Sequence, residues 1–184
     1  MKDFNECHWE SLKLFNTKAH SIWNYCTLMS KNRSMDCTQL WYNRDLINVG
    51  RNIELGIKLR GKVGYVHMAP FLHRSWNFFC WSYHSKSGEN KLYLNGKLQG
   101  VIQFDAGVEI NGSSEVLDSS FSIAQEPDAF NGRYDKEQAF RGSISELNMW
   151  NYVLDGQNIS DLSSCKKFEK GNIICGIKNL QVGT

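Results

Sequence analysis

The sequence predicts an all-β protein, an antiparallel sandwich or jelly roll, and three observations carry that prediction. Apolar residues alternate with polar ones at period two in several short runs, turn signals separate those runs, and only one stretch has helical spacing. Ile53, Leu55, Ile57 and Leu59 alternate with Glu54, Gly56 and Lys58, and Leu92 and Leu94 alternate with Lys91, Tyr93 and Asn95. Each set gives one buried and one exposed strand face.

Taken in chain order, strands are expected near His20 to Leu28, Thr38 to Tyr42, Ile53 to Leu59 and Val63 to Met68. The aromatic run NFFCWSYH follows, and after it KLYLNGKLQGVIQF reads as a hairpin. Its centre, Asn95-Gly96, suits a type I′ turn, in which both central residues take positive φ. Further strands are expected at Ser120 to Ile123 and Gly142 to Trp150. In LDGQNISDLSSC, Leu154, Ile159 and Leu162 share a helical face.

The 184 residues, 41% hydrophobic and 22% charged, suit one globular domain over 1–184, and no Gly/Ser-rich or charged linker divides them. The 21 basic and 19 acidic residues are scattered, with no basic stripe, so nucleic acid is not an expected partner. No apolar run approaches the roughly 20 residues of a membrane span, and MKDFNECHWE lacks the apolar segment of a signal peptide.

The six cysteines (Cys7, Cys26, Cys37, Cys80, Cys165 and Cys175) form no Cys-x-x-Cys pair, and the five histidines do not fall at zinc-finger spacing. Disulfides are the better reading. Sequons at Asn32, Asn111 and Asn158 point the same way, to a secreted, extracellular glycoprotein. The expectation is therefore an oxidising compartment and a chain that is a fragment, a sequence missing its first exon, or one segment of a larger secreted protein.

The stretch QEPDAFNGRYDKEQAF, residues 125–140, gathers Glu126, Asp128, Asp135 and Glu137 with the amides of Asn131 and Gln138. Carboxylates packed this densely repel one another, so they are either solvated and spread apart or gathered around a cation. Calcium accepts six to eight oxygens from carboxylates, amides and carbonyls, which matches this inventory. Phe130 and Gly132 occupy the third and fifth positions of an EF-hand, excluding that motif. Glu126-Pro127-Asp128 begins the Glu-x-Asp-x-x-Glu pattern of sandwich-fold glucan hydrolases, but Asn131 replaces the second Glu and Pro127 suits no central strand. No enzymatic role is expected. Trp76, Trp81 and Trp150 are read as core residues, and Lys166, Lys167 and Lys170 as a solvated face.

The segment AQEPDAFNGRYDKEQAFRGSISELNMWNYVL resembles the hallmark region of the pentraxins, through Gln125, Glu126, Asp128, Phe130, Gly132, Asp135, Gln138, Gly142 and Asn148-Met149-Trp150. FNECHW and FFCWSYHSKSGENKLYLNGK resemble the family's two cysteine strands and the hairpin after them. The resemblance implies a two-sheet antiparallel jelly roll of the lectin or laminin-G kind, with one short helix at Gln157 to Ser163. It implies a disulfide between Cys7 and Cys80, with Cys26–Cys37 and Cys165–Cys175 as additional local pairs. It also implies calcium ligands at Glu126, the Pro127 carbonyl, Asp128, Asp135 and Gln138, with Asn32 or Asp36 supplying the other half.

Relative to that family, the first one or two strands before Cys7 are missing. Gly64 stands where a pentraxin choline site has its Glu, and Leu59 and Leu40 stand at the pocket positions. Phosphocholine specificity is therefore not implied. The function implied is calcium-dependent binding of an anionic, phosphate-bearing or carbohydrate ligand, by a chain that can form a homo-oligomer. The alternative is a structural or adhesion module that contacts other extracellular proteins, its calcium structural or absent.

Overall fold

The computed structural model describes residues 4–12, 20–29, 35–42, 53–59, 61–69, 75–107, 116–130, 132–135, 138–140, 142–177 and 180–182. Alternation in the sequence becomes two antiparallel layers. The first sheet takes β1 (Phe4–Leu12), β6 (Asn77–His84), β7 (Glu89–Leu94), β8 (Lys97–Gln103), β12 (Gly142–Trp150), β13 (Ile174–Ile177) and β14 (Leu180–Val182). Its order is β13-β12-β1-β6-β7-β8, with β14 also pairing with β12. The second sheet takes β2 (His20–Met29), β3 (Met35–Tyr42), β4 (Ile53–Leu59), β5 (Lys62–Met68) and β9 (Val116–Ile123) in the order β5-β4-β3-β2-β9. A separate small hairpin joins β10 (Pro127–Ala129) to β11 (Gly132–Tyr134). The architecture is the expected jelly-roll sandwich with one short helix.

The inward faces meet in a core of Leu40, Leu55, Ile57 and Leu59 from one sheet and Phe79, Trp81, Tyr83, Leu92, Leu94, Ile144 and Leu147 from the other. Strand β6 lacks the alternation of its neighbours because both of its faces are covered. Phe79, Trp81 and Tyr83 enter the main core, while Phe78 and Cys80 join Cys7, Tyr93, Trp150, Leu154 and Ile159 in a second cluster. The helix α1 (Gly156–Ser163) contributes Ile159 and Leu162 to that second cluster. Its N-terminus is capped by Asp155, whose Oδ1 accepts the Asn158 N–H at 2.7 Å.

Cys7 and Cys80 lie opposite each other in β1 and β6 and are joined by a disulfide, closing a loop of 73 residues. Cys26 and Cys37 also stand opposite each other, in β2 and β3, where only the backbone is described. Cys165 and Cys175 are exposed free thiols, which corrects the expected pairing.

A second correction concerns Trp76, which is 46% exposed whereas Trp81 and Trp150 are buried. Trp76 precedes the first residue of β6, so the pleat that aims Trp81 inward does not reach it. Leu40 and Leu59 are 0% and 1% exposed inside the main core, and a Cβ on Gly64 would meet Ile102 Cγ2 at 2.5 Å. These three positions form part of the inter-sheet packing and no open pocket.

The Asn95-Gly96 turn has φ of 50° and 76°, as a type I′ turn requires. A Cβ at Gly96 would lie 2.3 Å from Ser163 Oγ and 3.1 Å from the Ser160 Cα, so this turn also seats α1. Gly96→Ala is expected to destabilise the protein by about 1–3 kcal/mol, combining positive-φ strain with displacement of the helix. Thermal denaturation followed by near-UV circular dichroism reads it. A neutral result would mean that the turn and helix are not packed as described.

Candidate functional site

Strand β9 ends at Ile123, and the next residue, Ala124, takes a φ of 64° and turns the chain out of the sheet. Sixteen residues later the chain returns, because the Phe140 N–H donates to the Ala124 carbonyl at 2.9 Å. Both residues are fully buried in the main core, so the base of the loop is clamped. The loop beyond it folds into the β10–β11 hairpin, with Pro127 opposite Tyr134 and Ala129 opposite Gly132. Continuing that register one step sets Glu126 level with Asp135 at the neck. The Gln138 N–H donates to the Asp135 carbonyl at 3.0 Å, which holds the returning strand beside them.

Of the expected ligands, Asp135 and Gln138 are joined by that backbone hydrogen bond, Glu126 directly precedes the hairpin, Pro127 is buried in it, and Asp128 is exposed on it. Among the described residues, no three His, Cys, Asp or Glu side chains converge as a metal-binding group. Asn32, Asn111, Asn131 and Glu137 lie outside the described residues. Asp36 is paired with Thr27 in β3, one strand position from the end of the hairpin, and so is not part of a free loop. The sequon residue Asn158 lies in the first turn of α1, where its Oδ1 accepts from Lys167 Nζ at 2.9 Å.

Sequence reasoning missed Gln39, whose Nε2 donates to Glu126 Oε1 at 3.0 Å. Its neighbour Leu40 points into the core, so period two turns Gln39 and Trp41 to the outer face. Trp41 lies directly over Gly56, where a Cβ would come within 2.3 Å of its ring, and meets Tyr65 edge-on at 6.1 Å between centroids. Tyr65 is 52% exposed. The one available signal was the alternation Gln39-Leu40-Trp41, which puts an amide and an indole on one strand face.

The residues present suit a calcium ion in one testable respect. Gln138 Oε1 is buried and has no hydrogen-bond partner, and a side-chain carbonyl in that state is unfavourable unless something electropositive meets it. All of the candidate donors are oxygens, the ligand type that calcium selects.

Comparison with known proteins places these features in a family. The model of the Pentaxin family matches residues 1–181. A pentraxin fusion protein of Xenopus laevis is 27% identical over 173 residues, 94% of this chain and 37% of that protein. C-reactive protein of Cavia porcellus is 28% identical over 159 residues, 85% of this chain and 62% of that one. The chain thus spans less than two thirds of the length of either relative. Among solved structures, a native heptameric SAP-like pentraxin from Limulus polyphemus superposes with a TM-score of 0.73 at 16% identity, over 96% of this chain and 79% of that one. A sialidase carbohydrate-binding module of Ruminococcus gnavus bound to α2,3-sialyllactose shares the fold at a TM-score of 0.63 and 12% identity, over 89% and 83% of the two chains. With its two antiparallel sheets, its clamped acidic loop and a family match running almost from end to end, this chain belongs to the pentraxin family.

Proposed function

We propose that this chain is a calcium-dependent ligand-binding module of an extracellular protein. The observation that carries the reading is the buried, unpartnered Gln138 Oε1 at the neck where Glu126 comes level with Asp135. Glu126, the Pro127 carbonyl, Asp128, Asp135 and Gln138 are the proposed ligands. Asn32 or Asp36 remains the proposed second half. These residues would hold the calcium ion, which would offset their negative charge and supply a Lewis-acidic centre for a phosphate, carboxylate or sugar hydroxyl.

Beside this neck, Trp41 and Tyr65 offer an aromatic shelf against which the apolar face of a sugar ring packs, which favours a carbohydrate-type ligand. The Cys7–Cys80 disulfide supports an oxidising, extracellular setting, and no helix among the described residues is long and apolar enough to cross a membrane. A structural neighbour bound to sialyllactose and a heptameric pentraxin neighbour support a binder that assembles with copies of itself, not an enzyme.

Calcium titration of the melting temperature tests this reading. At a hundredfold excess over its Kd, a calcium ion that binds only the folded state adds about 2.7 kcal/mol, or roughly 5–10 °C for a domain of this size. Asp128→Ala, at an exposed residue, is expected to leave the metal-free melting temperature unchanged and to remove most of the calcium shift. If wild type melts at the same temperature in millimolar calcium and in chelator, the calcium reading fails and the adhesion-module alternative takes its place.

A further inference from the structure

Away from Gln39 and Glu126, on the helix-bearing face of the first sheet, a cavity of about 280 Å³ opens between β12 and the chain that follows α1. Cys7, Phe78, Glu146, Trp150, Leu162 and Phe168 line it. Glu146 reaches the cavity through a β-bulge. Cys7 pairs with Asn148 and Trp9 with Ser145, so β12 sets two residues against one of β1. Ile144 and Leu147 both enter the main core although they are three apart, an odd offset that the alternation of a regular strand forbids. Glu146, at a φ of 53°, is the extra residue, and the bulge turns it out of the ladder and towards the cavity.

Two polar atoms of this lining are buried without a hydrogen-bond partner: the carboxylate oxygen Glu146 Oε2 and the indole Trp150 Nε1, on a side chain only 1% exposed. One is an anionic acceptor and the other a donor, so neither can be satisfied by the same kind of group. The neighbouring polar side chains are already committed. Asn148 Oδ1 accepts from Gly171 N and Gly176 N, each at 3.0 Å, and its Nδ2 donates to the Glu146 carbonyl at 2.7 Å. Lys167 Nζ lies 2.7 Å from Glu169 Oε2, whose other oxygen accepts from the Tyr152 hydroxyl at 2.9 Å. The remaining walls are Phe78, Leu162 and Phe168, with the half-cystine Cys7 and the free thiol Cys165.

We propose that this cavity is a second ligand site, for a small organic ammonium ion with an aromatic body and a hydrogen-bond acceptor at its far end. The ammonium meets Glu146 Oε2, the ring packs among Phe78, Trp150 and Phe168, and the acceptor takes the Trp150 Nε1–H. Glu146 and Trp150 stand four residues apart on β12 and line the same cavity, which lets one arylethylamine lie between the two hydrogen bonds. The cavity lies near the lower limit for ligand pockets, which fits a molecule of about a dozen non-hydrogen atoms. Neither the site nor its chemistry requires calcium.

Calorimetric titration with tyramine tests the assignment, against 4-ethylphenol, which lacks the amine, and 4-hydroxyphenylpropionate, which replaces it with a carboxylate. Tyramine is expected to bind saturably at one site, equally well in calcium and in chelator, and the carboxylate analogue not to bind. Glu146→Gln is expected to weaken tyramine at least tenfold while leaving 4-ethylphenol unchanged. Absence of saturable tyramine binding overturns the proposal, as does equal affinity in Glu146→Gln, or binding that chelator abolishes. If Glu146→Gln does not fold, Phe168→Ala decides instead, since Phe168 is 70% exposed at the rim and tolerates truncation. A severalfold loss of tyramine affinity in that variant supports the site, and an unchanged affinity overturns it.

Discussion

Cys7→Ala combined with Cys80→Ala is expected to lower the stability of the protein by about 4 kcal/mol, the loop-closure entropy of a bridge spanning 73 residues. In a domain of this size that is roughly 8–16 °C of melting temperature. Both cysteines are buried, and their partners in the second cluster include Phe78, Trp150 and Ile159. Alanine retains much of that packing, so the measured loss reports the cross-link and not a new buried hydroxyl. The β1–β6 ladder continues for three residues on either side of the bridge, from Phe4 opposite Tyr83 to Glu10 opposite Asn77, so the native state is specified without it. Urea unfolding of the double variant, beside wild type with and without reductant, gives the comparison. The reduced wild type should match the variant, and a loss below about 1 kcal/mol would show that the unfolded chain is already held compact.

The same bridge shows how far the sequence can be read. Alternation at Ile53 to Leu59 and at Leu92 to Leu94 is a local signal, and it places Leu55, Ile57, Leu59, Leu92 and Leu94 in the core. Asn95-Gly96 is equally local, because its positive φ values are a demand that few residue pairs meet. The pairing of Cys7 with Cys80 is not local. It follows from the family resemblance and from no spacing within the chain.

The site divides in the same way. Oxygen-rich composition marks residues 125–140, but what brings Glu126 level with Asp135 is the Pro127–Tyr134 register and the Phe140–Ala124 clamp, neither of which leaves a period in the sequence. Gln39 lies 87 residues from Glu126, and only the folded sheet joins them. Glu146 is the sharpest case. Simple alternation through SISELNMW groups Ile144 with Glu146, Asn148 and Trp150, which would put a carboxylate into the main core. The bulge resolves that conflict, and the conflict itself was the available signal.

Asn148→Ala is the second change expected to have a large effect, about 3 kcal/mol of destabilisation. The Asn148 side chain is one hub with three spokes: it accepts from Gly171 N and Gly176 N and donates to the Glu146 carbonyl. Asn148 is 7% exposed, so truncation leaves these backbone groups short of a partner where water does not easily replace it, at roughly 1 kcal/mol or more each. The two glycines cannot compensate by moving closer. A Cβ on Gly171 would already lie 2.0 Å from the Ile174 carbonyl, and Gly176 occupies positive φ at the irregular pairing of β12 with β13. Asn148→Asp keeps both acceptor bonds but loses the donor, and it sets a second carboxylate beside Glu146, so it should recover part of the loss at low pH and less at neutral pH. Hydrogen exchange separates this account from a general softening of the fold. The Gly171 and Gly176 amides should exchange much faster in Asn148→Ala, while the amides of β6 and β7 slow or quicken only with global stability. Unchanged protection at both glycines would mean that the β12–β13 junction is held by its backbone ladder alone, and that Asn148 does not hold the bulge that presents Glu146.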